Sequence, residues 1–217
     1  NANIFGEQMR AKTYQLPNIG VLEAQLEPQQ IEECWSLIKA AKSKDITHND
    51  KLAGNITKSL RMDHEGKLIN TMTQSMVAAY EKAFSKPYHL QVSGPNQYTY
   101  KLSDLWVNYQ YQTEFNPLHD HSGIYSFVIW LKIPTEHAEQ RDLPFAHGGN
   151  SISTFCLVYT DVLGNVVEHL YPMGKEYEGR ILMFPSRMKH QVYPFYESEG
   201  ERITIAGNVS MMTTLLQ

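Results

Sequence analysis

Apolar residues recur at helical spacing in the first part of the chain and in short runs after Pro87. Ile31, Cys34, Trp35, Ile38 and Ala41 lie on one stripe of a 3.6-residue period, which predicts a helix over residues 29–42. Pro28 suits its first turn, where a missing N–H leaves no bond unmade. Ile69, Met72, Met76, Val77, Tyr80 and Phe84 form the apolar stripe of a second helix over about 67–85. Its methionines read as core packing. Residues 1–26 are mixed and read as extended. Residues 43–66 are polar and contain Leu52-Ala53-Gly54-Asn55-Ile56, so they read as a loop.

Beyond Pro87, runs rich in Val, Ile, Tyr and Phe alternate with turn residues. They predict strands near 88–93, 98–113, 124–133, 152–161, 165–171, 180–185, 188–194 and 202–210, with a hairpin turn at Leu163-Gly164-Asn165. Helices followed by many short strands indicate an α+β chain whose β part is a sandwich or jelly roll. The expected organisation is one domain, with residues 1–86 as helical support and 87–217 as the barrel. Residues 135–151 are the longest polar interruption and read either as a lid or as a plain connector.

Composition narrows the functional classes. At 217 residues the chain can bury a sizeable core. A formal charge of −4 offers no basic excess for nucleic acid or an anionic membrane surface. The two cysteines, Cys34 and Cys156, fall on a predicted helix and a predicted strand and read as buried thiols rather than a disulfide framework. No apolar run approaches the ~20 residues that span a bilayer, and no secretory leader is visible, so the expected location is cytoplasmic. The oligomeric state is left open.

The chemistry-bearing segment is Asn116-Pro117-Leu118-His119-Asp120-His121-Ser122-Gly123. Residues i and i+2 of a strand point to one face, so His119 and His121 can converge on one ion while Asp120 points away. His190, on a distant predicted strand, completes a facial set. Imidazoles suit Fe, Zn, Cu and Ni. A bulge that turned Asp120 inward would make it the alternative ligand to His121. Arg202 follows His190 in barrel order, and its fork suits a carboxylate. His137 and His147 read as solvated.

These segments resemble the 2-oxoglutarate/Fe(II)-dependent oxygenases of the prolyl-hydroxylase-like branch, and more narrowly uncharacterised members carried by marine tailed phages. The resemblance runs from about Leu52 to Val209. HDHSGIYSFVIWLKIP, GRILMFPSRMKH and RITIAGN carry it. It implies a double-stranded β-helix, a cupin-like barrel with Fe(II) at its mouth. Another divalent metal stays open. It also implies 2-oxoglutarate as co-substrate, with a peptide or protein as one class of prime substrate. His119 and His190 take the family's two histidine roles and Arg202 the carboxylate role. Thr204 shares the face of Arg202, and Tyr111 and Asn208 are further candidates to bind the co-substrate. Phe127 and Ile129 are expected to shield it. The departure is His121, where the family has a carboxylate. Two other readings stand beside this one. They are a cupin-like three-histidine metalloenzyme that does not use 2-oxoglutarate, and a non-enzymatic phage jelly-roll module.

Overall fold

The computed structural model describes residues 20–85, 97–147 and 150–214; the strand expected at 88–93 lies outside them. Ten strands and three α-helices follow in the order β1 (Leu22–Gln25), α1 (Pro28–Lys44), β2 (Lys58–Arg61), α2 (Lys67–Phe84), β3 (Gln97–Gln110), β4 (Asn116–His119), β5 (Tyr125–Lys132), α3 (His137–Arg141), β6 (Thr154–Thr160), β7 (Val166–Pro172), β8 (Arg180–Pro185), β9 (Lys189–Val192) and β10 (Arg202–Thr214). Both predicted helices are present. In α1 the Gln30 side chain accepts the Glu27 N–H at 2.8 Å, and Pro28 opens the helix. Asp45 closes it in the left-handed conformation. The predicted loop 43–66 is corrected in part, because it contains β2. That strand is only four residues long, and its burial pattern shows no strict alternation.

The strands form two antiparallel sheets, of order β1-β8-β5-β10-β3-β2 and β4-β9-β6-β7. The first sheet is buried on both faces, and residue parity divides its side chains. On β3, β5, β8 and β10, Leu105, Val107, Tyr125, Ile129, Ile181, Met183, Ile203 and Ile205 pack with Ile38, Met72, Met76 and Tyr80 of the helices. Their strand neighbours Val128, Trp130, Leu182 and Phe184 pack with Phe155, Leu157 and Tyr171 of the second sheet. The result is the jelly roll expected from the sequence, with the two helices laid against one outer face. A register shift at Asn208/Val209 interrupts the β10–β3 ladder, and so puts Leu102 on the helix side together with Leu105.

Connections follow local chemistry. Asp161 Oδ1 accepts the N–H groups of Leu163 and Asn165, both at 2.9 Å, closing the β6–β7 hairpin at the expected turn. The segment 135–151 carries α3 and is anchored. Gln140 donates to Tyr196 O at 2.9 Å and accepts the Tyr196 N–H at 2.8 Å. Cys34 and Cys156 are free and buried. Among the described residues, no helix is long and apolar enough to cross a membrane.

Ile205 is fully buried in the helix–sheet core, whereas Leu163 is 81 % exposed at the hairpin tip. Ile205→Ala is expected to cost about 2–5 kcal/mol in urea unfolding, and Leu163→Ala to stay within about 0.5 kcal/mol of the parent.

Candidate metal and co-substrate site

A cavity of about 380 Å³ opens between the two sheets. The inward parity of the first sheet lines it with Trp106, Asn108 and Gln110 from β3, Ser126, Val128 and Trp130 from β5, and Arg202, Thr204, Ala206 and Asn208 from β10. His119, His121 and His190 reach it from the second sheet. Their candidate ligand atoms lie within 4.8 Å of one another. His119 and His190 stand directly opposite across the β4–β9 ladder, with ring centroids 4.2 Å apart. His121 lies two residues on, just past the end of β4. Its backbone N–H donates to Ser186 O at 2.9 Å, which brings the ring back over the pair. Gly123 takes φ +108, and a side chain there would meet Val209 O at 2.9 Å, so the turn after His121 requires glycine.

Asp120 points the other way. Its carboxylate sits 2.9 Å from Lys189 Nζ and 3.8 Å from Arg187 Nη1. The lysine hydrogen bond holds its carboxyl below the usual range. The β4–β9 register shift between Asn116 and His119 does not turn it inward.

Tautomers follow from the hydrogen bonds. A carbonyl only accepts, so His119 Nδ1–H donates to Pro117 O at 2.7 Å and His190 Nδ1–H to Met188 O at 3.0 Å. Each ring is left with an unprotonated Nε2. Burial lowers all three pKa values, that of His121 to about 4 and that of His190 well below the ordinary value. Three neutral imidazoles, two of them with ring tautomers set by backbone carbonyls, are the donor set a divalent transition metal takes, and they fit Fe(II) as well as Zn(II).

Arg202 is 1 % exposed. Its Nη2 donates to Ser153 Oγ at 2.7 Å and its Nη1 to Gln110 Oε1 at 3.2 Å, while Nε has no partner. The guanidinium lies 5.1 Å from the Phe195 ring centroid. No carboxylate among the described residues pairs with it, and desolvation alone brings its pKa down to about 9, so it stays charged at neutral pH. Thr204 and Asn208 share its face of β10 and line the same cavity. Asn208 Oδ1 accepts from Ser126 Oγ at 2.8 Å. Tyr111 is not among the cavity-lining residues. It follows the last residue of β3, is 40 % exposed, and donates through its hydroxyl to Glu201 at 3.2 Å. Phe127 and Ile129 share the odd parity of β5 and both belong to the helix-side core, although Phe127 also borders the cavity. His137 lies outside the cavity, with Nε2 3.3 Å from Asn150 O.

Several residues in and around the cavity carried no signal in the sequence. Gln110 and Ser153 hold Arg202, and Ser153 does so from a left-handed backbone (φ 54). His48 stacks on Trp106 at 4.8 Å and 15°, and Trp106 in turn lies 5.6 Å from the His121 ring. The loop Leu52–Ile56 walls the outer cavity. Gly54 lets it lie against β4, since a side chain there would stand 2.2 Å from Phe115 O.

Removing any one imidazole leaves two candidate donors. His119→Ala, His121→Ala and His190→Ala are each expected to weaken Co(II) uptake at least tenfold in a competitive chelator titration. Asp120→Asn is expected to leave it within about twofold, since its carboxylate is turned to Lys189 and Arg187 and a partly exposed ion pair contributes little.

Residues 104–208 match the model of the family described as "Putative 2OG-Fe(II) oxygenase". No curated protein is detectably similar. Among solved structures, a prolyl-4-hydroxylase of Pseudomonas putida superposes with a TM-score of 0.54 at 13 % identity, over 87 % of this chain and 91 % of that one. An oxidoreductase of the 2OG-Fe(II) oxygenase family from Burkholderia pseudomallei superposes with a TM-score of 0.50 at 11 % identity, over 88 % of this chain and 84 % of that one. At such identities the superpositions speak for the fold alone. All three histidines and Arg202 fall inside the matched segment, and the chain carries a domain of the 2OG-Fe(II) oxygenases, enzymes that use Fe(II) and 2-oxoglutarate.

Proposed function

We propose that His119, His121 and His190 hold the iron and that Arg202 binds the far carboxylate of 2-oxoglutarate, making the protein a hydroxylase-type oxygenase. The observation that carries this reading is the buried guanidinium without a carboxylate. Burying a charge costs several kcal/mol unless an opposite charge meets it, roughly the scale of a whole domain's stability. Arg202 stands in the same cavity as the three histidines, so an anion spanning from the metal to Arg202 supplies what the fold leaves out. A cupin-like enzyme without an oxo-acid has no use for that charge, and neither has a structural module.

Bound iron supplies the activation of O₂ and the oxidation of a C–H bond; the chain supplies placement and a dry site. Gln110 and Ser153 set the guanidinium plane. Phe195 covers one face of it and excludes water. Thr204 lines the cavity two residues along the same strand and is the second donor proposed for the co-substrate. Asn208, held by Ser126, orients the cavity wall further along β10. Val128, Trp130 and Phe184 give the cavity apolar walls that keep water from the reacting carbon. A peptide or protein is one proposed class of prime substrate, and the cytoplasm the proposed location, that of the host if the gene is phage-borne.

Oxygen-dependent release of succinate from 2-oxoglutarate by the iron-loaded protein is the expected activity. Under anaerobic conditions, titration of 2-oxoglutarate into iron-loaded Arg202→Met should show a midpoint raised more than tenfold, on the scale of roughly 2–5 kcal/mol for losing a buried charge-assisted pair. Metal uptake should stay unchanged, and Arg202→Lys should fall between, because it keeps the charge and loses the fork. With no counter-ion to lose, Arg202→Met should also be no less stable than the parent in thermal unfolding without ligands. An unchanged 2-oxoglutarate midpoint would favour the three-histidine metalloenzyme.

A further inference from the structure

We propose that the prime substrate of this site presents a carboxylate close to the metal. The inference rests on the iron and 2-oxoglutarate reading above, and its basis is a charge imbalance that His121 creates. Three neutral imidazoles leave the metal with both its positive charges, and Arg202 adds a third. A 2-oxoglutarate dianion cancels two of them. One positive charge remains in a cavity whose walls include Val128, Trp130, Phe155 and Phe184, where charge is poorly screened. With a carboxylate at position 121 the same assembly would be neutral.

The rest of the cavity does not supply the missing negative charge. Three carboxylates line its mouth, and each already has a cation. Asp50 lies 3.5 Å from Arg61, Asp104 lies 3.7 Å from Lys51, and Asp120 has both Lys189 and Arg187. The lip formed by these groups therefore carries one excess positive charge of its own, on the Asp120 side beside the histidines. Glu114 is buried, but its carboxylate oxygens accept from the Thr57 and Tyr111 backbone N–H groups, and it does not line the cavity. Asp120 cannot approach the metal without leaving Lys189. The balance points to a monoanion: a carboxylate closes it, whereas a phosphate dianion oversteps it. The carboxylate can belong to a free organic acid or to an acidic side chain of a peptide, since the same charge serves both.

The test uses the protein loaded with Co(II) and saturated with 2-oxoglutarate, without oxygen. Two isosteric pairs are titrated by calorimetry and by the Co(II) absorption: acetate against acetamide, and a blocked Gly-Glu-Gly peptide against blocked Gly-Gln-Gly. The expected result is that the carboxylate member of at least one pair binds ten or more times tighter than its amide, without raising the 2-oxoglutarate midpoint. The pair that shows it identifies a small acid or an acidic peptide as the source. His121→Asp should abolish the preference while still taking up Co(II). Equal affinity of acid and amide in both pairs would overturn the inference and leave the oxygenase reading standing. So would acid binding that only displaces 2-oxoglutarate. Failure of the first step, uptake of 2-oxoglutarate by the metal-loaded protein, would instead overturn the oxygenase reading and this inference with it. Because the isostere comparison is made on the unaltered protein, it stands even if His121→Asp fails to fold.

Discussion

The two-residue alternation of β3, β5, β8 and β10 is the constraint on which the structure depends. One parity carries the aliphatic and aromatic side chains that bind the sheet to α1 and α2. The other supplies both the core between the sheets and the polar lining of the cavity. A slip of one residue in β10 would send Arg202, Thr204 and Asn208 into the helix interface and Ile203 and Ile205 into the cavity. The hydrophobic face is large, so that slip is forbidden. The energy of packing therefore fixes where the chemistry sits, and the polar residues occupy their places because the apolar ones occupy theirs.

Within that frame the site is assembled from groups that do not satisfy one another. The imidazoles are held neutral by burial, and two of them are oriented by backbone carbonyls with a lone pair left over. The guanidinium is charged, enclosed and without a carboxylate. A fold whose only task was stability would pair these groups or replace them with hydrocarbon. Their retention in one cavity leaves lone pairs and a charge without partners, which is the imbalance that a metal and an anion would meet in the proposed function. At the mouth the reverse holds. Asp50, Asp104 and Asp120 each have a cation, whereas the interior guanidinium has no carboxylate.

His121 makes the interior imbalance specific to this chain. Its ring is brought to the other two by the turn at Gly123 and the Ser186 carbonyl rather than by strand pairing. Asp120, just past the end of β4, is directed outward to Lys189 and Arg187. The turn thus selects which side chain faces the cavity, and with it the charge of the centre.

Both helices, seven of the strands within the described residues and the three histidines were legible in the sequence. Each is a periodic or local signal: the stripe Ile69–Phe84, the runs after Pro87, the i, i+2 spacing of His119 and His121. Arg202 was legible through its order after His190 and its place in RITIAGN. β2 was not, because four residues without clean alternation carry too little pattern. Nor were Gln110, Ser153, His48 and Trp106, whose roles exist only because β10 pairs with β3 and because separate loops meet at the cavity. Tyr111 shows the limit from the other side. Its place one residue past β3 turns it toward Glu201 while Gln110 faces the cavity. By itself the sequence determined most of the elements and the residue types gathered at the cavity, since these depend on period and residue type. Only the tertiary structure decided which face each residue shows, which charges meet and which stay unpaired, because those depend on strand register and on contacts between residues far apart in the chain.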